Sequence, residues 1–287
     1  MGYPSFGSYS DRGGVANEDY VSVSSSFGVL LDGASGLSRC HLFEKNNLTD
    51  AQWFSHTVGA RISELMHADR TAREALEQAI AEARVALEEV VSRKDPTPDW
   101  LPSATLSVVE VSGDMLDVWW LGDSPIVVKG RFGIETLYDE SLRMLDQRSI
   151  DTMLKRSRGR YVAGSEKRGL VLDVITANRR LRNHEQGYYI LDSTGVGIEH
   201  LGHRRYSLNE VDAVAAFSDG MFAAFELYAS ADLEAFMNAP SCASMQRIVD
   251  RMRVVEALDP DFELYPRFKQ GDDASAFFID FAHPCEG

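Results

Sequence analysis

The sequence predicts an α+β protein in which antiparallel sheets are covered by helices. Two separate pairs of helix-like segments alternate with groups of strand-like segments, an order typical of sheets that pack against helices. The 287 residues are 44% hydrophobic and 25% charged, as in ordinary soluble globular proteins. Neither repeats nor a flexible linker interrupt the chain. We therefore expect residues 1–287 to form a single domain.

The first two strands are predicted at DYVSVSS, residues 19–25, and FGVLLDG, residues 27–33, after an opening loop. The first segment alternates, with Val21 and Val23 on one side, as a half-buried strand does. The second segment is apolar throughout up to Asp32, which is typical of a strand buried on both faces.

A helix pair is predicted next, at about residues 50–67 and 70–93. Asp50 can cap the first helix. Both segments carry apolar stripes at helical spacing, which fit packing of one helix against the other: Phe54, Val58, Ile62, Leu65 and Met66, then Leu76, Ile80, Ala83, Leu87 and Val90. The prolines of KDPTPDWLP end the second helix.

The remaining chain alternates again between strands and helices. Residues 103–137 contain apolar runs separated by tight turns, which predicts an antiparallel meander. Residues 140–157 are expected to be helical, and residues 158–182 are basic and irregular. We expect strands at GYYILD and VDAVAAFSDG, helices near 230–238 and 241–257, a loop from 259, and a closing strand at ASAFFIDF.

The bulk charge limits the classes of partner. The net charge is −15, which repels nucleic acid and anionic membrane surfaces. No apolar run reaches the length of a membrane helix, and no signal-peptide pattern is present. Cys40, Cys242 and Cys285 show no CxxC spacing, so we expect no disulfide framework and a cytoplasmic location. The pattern does not indicate an oligomeric state.

Acidic residues stand at five places that border predicted strands: residues 17–19, Asp32, Asp123, Asp219 and residues 272–273. Taken singly, an Asp-Gly pair is a common turn signal. Taken together, carboxylates gathered at one rim of a sheet would repel each other unless a cation lay among them. Oxygen ligands favour magnesium, manganese or calcium, and the absence of histidine and cysteine here disfavours zinc.

Six motifs in order give the chain a resemblance to a known family: NEDY at 17–20, LLDGASG at 30–36, SATLSVV at 103–109, LGDSPIVV at 121–128, FSDGMF at 217–222 and DDASAFFI at 272–279. The sequence resembles the metal-dependent serine/threonine protein phosphatases of type 2C, and is most similar to bacterial members. This resemblance implies a four-layer α-β-β-α sandwich, two central antiparallel sheets flanked by helix pairs.

The resemblance also implies a binuclear centre of Mn²⁺ or Mg²⁺, with a third, weaker metal. The implied ligands are Asp32 as the bridge, the Gly33 carbonyl, Glu18 for the second metal, Asp219 and Asp272 for the first, and Asp123 for the third. Asp19 would orient waters near the second metal. Asp273, which stands where many members have asparagine, would lie directly behind the ligands.

The implied activity is the hydrolysis of phosphoserine and phosphothreonine in phosphorylated proteins. A water activated by the two metals would attack, with Asp32 and Asp219 acting through it and no phosphoenzyme formed. The alternative is a pseudophosphatase, a metal-binding sensor or interaction module that keeps the fold without turnover.

That alternative comes from positions at which the sequence departs from the family. The arginine that clamps the substrate phosphate is replaced by Gly14. Either Arg12 reaches the phosphate through a short deletion, or it is a solvated loop residue. Ala34 stands where many eukaryotic members have histidine, so no general acid can be named. Ala223 replaces an acid that many members have, which weakens the case for a third metal.

Two further features allow two interpretations each. Residues at about 140–182 form a flap-like basic insertion, which is either a solvated face or a flap whose charge attracts phosphorylated substrate. Cys40 and His41 follow the DGASG motif. They lack the additional partners that a zinc site needs, so we interpret them as a loop or helix-start pair.

Overall fold

The computed structural model describes residues 3–34, 42–43, 47–91 and 101–285. Within these residues the chain forms two antiparallel sheets between two layers of helices. Cys40 and His41 lie outside the described residues, so our interpretation of that pair stays a prediction. Among the described helices, none combines the length and the apolar composition needed to cross a membrane.

The first sheet, sheet A, has five strands in the order β1-β12-β11-β7-β8. Its second strand in space is the last in the chain, so β12 pairs with β1 on one side and with β11 on the other. The strands span β1 Tyr3–Asp11, β7 Ile126–Gly130, β8 Gly133–Leu137, β11 Val211–Phe217 and β12 Ala274–Cys285.

The second sheet, sheet B, has seven strands in the order β10-β6-β5-β3-β4-β9, with β2 also paired to β3. Its centre is β3, which is buried over its first five residues, as the sequence predicts. The strands span β2 Asp19–Val23, β3 Phe27–Ala34, β4 Ser103–Ala104, β5 Leu106–Ser112, β6 Met115–Leu121, β9 Leu191–Asp192 and β10 Gly202–Ser207.

Three apolar clusters lie between the four layers. One joins helices α1 (Asp50–His67) and α2 (Ala72–Val91) to sheet B. The second fills the space between the sheets, and Leu30 of β3 and Phe277 of β12 both belong to it. The third joins sheet A to helices α6 (Asp219–Glu226), α7 (Leu233–Asn238) and α8 (Cys242–Leu258). This layering is the predicted α-β-β-α sandwich, and the fold prediction is confirmed.

Helix α1 has the predicted bounds, and its apolar stripe is buried. Its cap differs from the prediction, because the side chain of Thr49 accepts the amide of Gln52. Asp50 instead accepts the backbone amides of Leu42 and Phe43, at 2.7 and 3.1 Å. The predicted cap therefore fixes the segment before the helix.

The opening residues were expected to be a loop, and this prediction is wrong. They form β1, whose residues from Ser5 to Asp11 pair with β12 in antiparallel register. β1 lies at the edge of sheet A and is mostly serine, glycine and tyrosine, so it lacks the apolar alternation that marks a half-buried strand. Its strand conformation comes from backbone pairing with β12 rather than from side-chain burial.

The predicted meander is divided between the two sheets. β5 and β6 pair in sheet B, and β7 and β8 pair in sheet A. Residues 122–125 carry the chain from one sheet to the other, and Gly122 adopts a φ of 86°, which favours glycine. This crossing places Asp123 at the rim that the sheets share.

The insertion is more regular than its sequence suggested. It contains α3 (Glu140–Ser157), α4 (Gly164–Lys167), a 3-10 turn (Arg168–Val171) and α5 (Leu172–Arg179). These elements share a small apolar cluster around Met153, Val171 and Ile175. The 3-10 turn and α5 pack against α3 through this cluster, and the local sequence pattern does not show these contacts.

The last helical layer and the strands that precede it also differ from the prediction. Only Leu191 and Asp192 of GYYILD pair as a strand, and β10 was not predicted. Helix α6 was missed as well, because its eight residues directly follow the apolar run of β11. Asp219 is thus the first residue of a helix, not a turn residue.

Candidate functional site

A pocket of about 810 Å³ opens at the rim where the two sheets meet the insertion. One wall carries the acids predicted from sequence, and the opposite wall is built by α3, α5 and the segment before β12. The pocket wall includes the predicted ligand set: Glu18, Asp32, Gly33, Asp123, Asp219 and Asp272. Residues that are up to 254 positions apart in the sequence, from Glu18 to Asp272, therefore share one cavity.

Asp32 and Asp219 meet across the two sheets. Asp32 lies near the end of β3 in sheet B, and Asp219 begins α6 directly after β11 of sheet A. The backbone amide of Asp219 donates to Oδ2 of Asp32 at 3.4 Å. Because α6 starts at this point, its first amide faces a carboxylate, which is the favourable orientation of a helix dipole.

The residue pair before β12 has two separate roles. Asp273 is 8% exposed and accepts the amides of Gly13 and Glu18, at 2.8 and 2.7 Å. Asp272 faces the pocket instead and forms an ion pair with Lys269 at 2.7 Å. Asp273 therefore holds the β1–β2 loop in position, and its neighbour remains available to the pocket.

Position 33 requires glycine because the backbone of Glu18 approaches it closely. Its amide donates to the carbonyl of Glu18 at 3.2 Å, and the hydroxyl of Ser55 donates to the same carbonyl at 2.5 Å. A Cβ on Gly33 would lie 2.5 Å from that carbonyl oxygen. A side chain would therefore push Glu18 out of the pocket wall.

Burial and mutual repulsion disfavour ionisation of these acids. Burial raises the pKa of Asp32 well above its ordinary value, and the charges of Asp219 and Asp19 raise it further. Burial and Asp219 do the same to the pKa of Asp123. Burial also raises the pKa of Asp219, and the negative charge of Asp272 raises it further. Crowded carboxylates of this kind attract a cation.

Asp19 lies behind this rim and is 3% exposed. Burial raises its pKa to about 8, and its Oδ2 has no hydrogen-bond partner among the described residues. A buried polar atom without a partner is costly, and an ordered water or ion would satisfy it.

The donor set therefore fits a hard divalent cation in its chemistry: carboxylate and carbonyl oxygens, like charges in one cavity, and an orphaned oxygen behind them. Within the described ranges, however, no three His, Cys, Asp or Glu side chains are already arranged as a metal shell. Ligation would thus require small side-chain movements or bridging waters.

The structure does not bring Arg12 into this pocket. Arg12 is in the β1–β2 loop and is not part of the pocket wall. Gly14 is exposed, and a Cβ added to it would have no neighbouring atom within 4 Å. Ala34 and Ala223 do lie in the wall, at the positions where the family resemblance led us to look for histidine and an acid.

The charged pocket residues that were not singled out as site residues in the sequence include Asp146, Arg168, Arg179 and Lys269. Burial and then Asp219 raise the pKa of Asp146 to about 6, whereas Arg179 and Lys269 oppose this shift. The first three residues belong to the insertion. Basic composition marked that segment, but composition could not show which of its side chains face the acids.

A model of the protein phosphatase 2C family matches residues 7–259. A comparison with curated protein sequences finds no match.

Similar solved structures include PppA, a key regulatory component of the T6SS in Pseudomonas aeruginosa, with a TM-score of 0.58 and 14% identity over 97% of each chain. The catalytic domain of the serine threonine protein phosphatase PstP, in complex with two manganese ions, gives a TM-score of 0.55 and 18% identity, over 96% of this chain and 97% of that chain. The phosphatase PstP/Ppp of Mycobacterium tuberculosis gives 0.53 and 18%, over 98% and 99%. Because the identities are only 14% to 18%, these similarities show a shared fold and no more than that.

Proposed function

This chain belongs to the protein phosphatase 2C family, and on that basis we propose that it hydrolyses phosphoserine and phosphothreonine in phosphorylated proteins. The observation that carries the proposal is the meeting of Asp32 and Asp219, one from each sheet, in a pocket rimmed by further acids. The five carboxylates of Glu18, Asp32, Asp123, Asp219 and Asp272 around one open cavity would be unfavourable in a site that bound only a phosphate. They are suited to a phosphate that arrives with divalent cations.

The residues that would hold two Mn²⁺ or Mg²⁺ ions are Asp32, Gly33 through its carbonyl, Glu18, Asp219 and Asp272, with Asp123 available to a third. When bound, such ions neutralise the phosphoryl oxygens and lower the pKa of water, which makes a nucleophile at neutral pH. The manganese complex of PstP is consistent with this assignment.

The chain itself contributes positioning. Asp273 fixes the amides of Gly13 and Glu18, so the β1–β2 loop remains beside β3. The hydroxyl of Thr105 accepts the amide of Asp32 at 3.3 Å and lies 2.6 Å from the hydroxyl of Ser124. Because these contacts come from backbone and small buried side chains, the acid rim is held without long flexible groups.

Hydrolysis of p-nitrophenyl phosphate with added Mn²⁺ tests the proposal. We expect turnover by the native protein and its loss, by about 100-fold or more, in Asp32→Asn and Asp219→Asn. Asp114→Asn, an exposed change in the β5–β6 turn, is the matched control and should keep full activity. A native protein no more active than the two site variants would refute the phosphatase assignment.

A pseudophosphatase remains the second candidate because Gly14 supplies no side chain and Arg12 lies outside the pocket wall. This candidate predicts Mn²⁺ binding by calorimetry without turnover of a phosphopeptide. Efficient hydrolysis of a phosphopeptide by the native protein excludes it. A phosphate-binding role for Arg12 stays a prediction, since nothing in the pocket geometry favours it.

A further inference from the structure

The insertion contributes a basic wall to the pocket that holds the acid rim, and two of its arginines form part of this wall. Arg168 lies in the 3-10 turn and Arg179 is the last residue of α5. Both are half-buried and both line the cavity. They are separate in sequence, but the packing of α3, the 3-10 turn and α5 around Met153 brings them to the same side.

Among the insertion arginines that line the pocket, these two lack a partner in the described residues, whereas Arg143 has one. Arg156 is paired with Asp173, and Arg143 with Glu226. By contrast, neither the Arg168 nor the Arg179 guanidinium hydrogen-bonds or forms an ion pair with any residue in the described ranges. A half-buried guanidinium without an anion is partly desolvated and uncompensated, so it favours binding of an anionic ligand.

Asp146 connects the basic wall to the acid rim. Its pKa responds both to Asp219, which raises it, and to Arg179 and Arg168, which lower it. These charges are therefore within electrostatic reach of one carboxylate. A group bound in front of Asp219 would lie near the same arginines.

The β1–β2 loop offers no competing anion ligand in the pocket. Gly14 has no side chain, and Arg12 is not in the wall. The other cations on the described wall are already paired: Arg143 with Glu226, Arg267 with Asp259, and Lys269 with Asp272 at 2.7 Å. The unpaired positive charge on the described wall thus comes from the insertion.

We propose that Arg168 and Arg179 bind the phosphoryl oxygens of the substrate from the insertion side of the pocket. This inference rests on the proposed function, because the anion is the phosphate of a phosphomonoester. The insertion would then supply the phosphate contact that the β1–β2 loop lacks. Planar guanidinium groups can donate two parallel hydrogen bonds to one phosphate, which gives orientation as well as affinity.

Inorganic phosphate is the probe, because its binding can be measured without turnover. The melting temperature is followed in magnesium chloride as sodium phosphate is added, with sodium chloride at equal ionic strength as reference. We expect phosphate to stabilise the native protein. Arg168→Ala and Arg179→Ala should weaken phosphate binding roughly tenfold to hundredfold, the effect of one lost charge-assisted hydrogen bond.

Arg160→Ala is the matched control, since Arg160 is exposed on the same insertion and outside the pocket. It removes the same charge and should leave phosphate binding unchanged. Arg179→Lys should bind phosphate with intermediate affinity, because it keeps the charge and loses the paired donors. Melting temperatures without phosphate verify that each variant is folded.

The kinetic arm uses a phosphopeptide, for which the two alanine variants should raise KM more than they lower kcat. Loss of phosphate binding in these variants supports the inference even if the native protein hydrolyses nothing, in which case only the proposed function fails. Phosphate binding equal to that of Arg160→Ala overturns the inference, even if turnover is normal. A native protein that phosphate does not stabilise overturns it as well.

Discussion

The ammonium group of Lys269 lies 2.7 Å from Oδ1 of Asp272, one of the acids that face the pocket. Burial alone would lower the pKa of Lys269, but Asp272, and beyond it Asp219 and Asp32, raise it above its ordinary value. The lysine is therefore charged near neutral pH. Its ammonium group thus supplies a positive charge from the protein itself at a rim whose other side chains are acidic.

Removal of this charge should strengthen binding of a divalent cation. Because the ion must compete with the ammonium group for Asp272, we expect Lys269→Ala to lower the Kd for Mn²⁺ roughly twofold to fivefold, a change typical of a partly exposed ion pair. Calorimetry with manganese chloride measures it. Lys155→Ala, exposed on α3, should bind as the native protein does. Weaker binding in Lys269→Ala would show instead that the lysine orients Asp272 for the ion.

A methyl group at position 33 should damage both fold and site. In Gly33→Ala the new Cβ meets the carbonyl of Glu18 at 2.5 Å, so we expect a loss of roughly 1–3 kcal/mol in the free energy of unfolding. Urea denaturation measures the loss, and Mn²⁺ affinity should fall with it. Gly169→Ala is the control, since no atom lies within 4 Å of its Cβ position. Equal stability of the two variants would contradict the steric argument.

An arginine at position 14 should restore the family's phosphate contact. The space around Gly14 is open, and its backbone is not in the left-handed region, so Gly14→Arg should fold normally. We expect the KM for a phosphopeptide to be roughly tenfold lower, because one charge-assisted hydrogen bond to the phosphate would be gained. Gly14→Ala controls for loss of the glycine. If KM does not change, the β1–β2 loop directs position 14 away from the substrate.

The raised pKa of Asp146 predicts a pH-dependent stability. Its pKa is about 6 in the folded protein against an ordinary 3.8, so folding disfavours the charged form. Below about pH 3 the group is neutral in both states, and Asp146→Asn should then melt with the native protein. Between about pH 4 and pH 6 the unfolded chain is ionised while the folded protein keeps the proton, so the native protein loses stability and Asp146→Asn should melt at an increasingly higher temperature relative to it, up to a plateau near pH 7.

Thermal denaturation in a chelator, from about pH 3 to about pH 8, measures this difference. Asp151→Asn, one turn further along α3 and exposed, should follow the native protein over that range. A difference between Asp146→Asn and the native protein that is constant with pH would mean that the effect is not ionisation of Asp146.

Local patterns predicted the elements that depend on local burial. The apolar stripe of α1 and the apolar run of β3 can each be recognised from the segment's own residues. Both elements lie where the sequence predicted them. β1 could not be found in this way, because backbone pairing with β12 forms it and its side chains are small or polar. The division of the meander between the sheets was equally hidden, since turn residues show that a chain reverses but not which sheet it joins.

The acid rim was predicted because each acid borders a strand and family motifs linked them. The basic wall was not, because Arg168 and Arg179 are two among many arginines of the insertion, and only the packing of α3 against α5 shows which of them face inward. Glu18 shows a similar limit. The motif marked the residue, whereas the backbone contact with Gly33 that positions it depends on the paired strands.

The position of β12 determines the order in which sheet A can be completed. Ser10 of β1 and Ser275 of β12 hydrogen-bond at 2.8 Å across a separation of 265 residues. While the ribosome is still making residues before 274, β1 and β11 are each without the strand that will lie between them. Unpaired edges of this kind are templates for aggregation, and pairings at such long separation form slowly. We therefore expect the nascent chain to be prone to aggregation at the unpaired edges of β1 and β11 until β12 has been made.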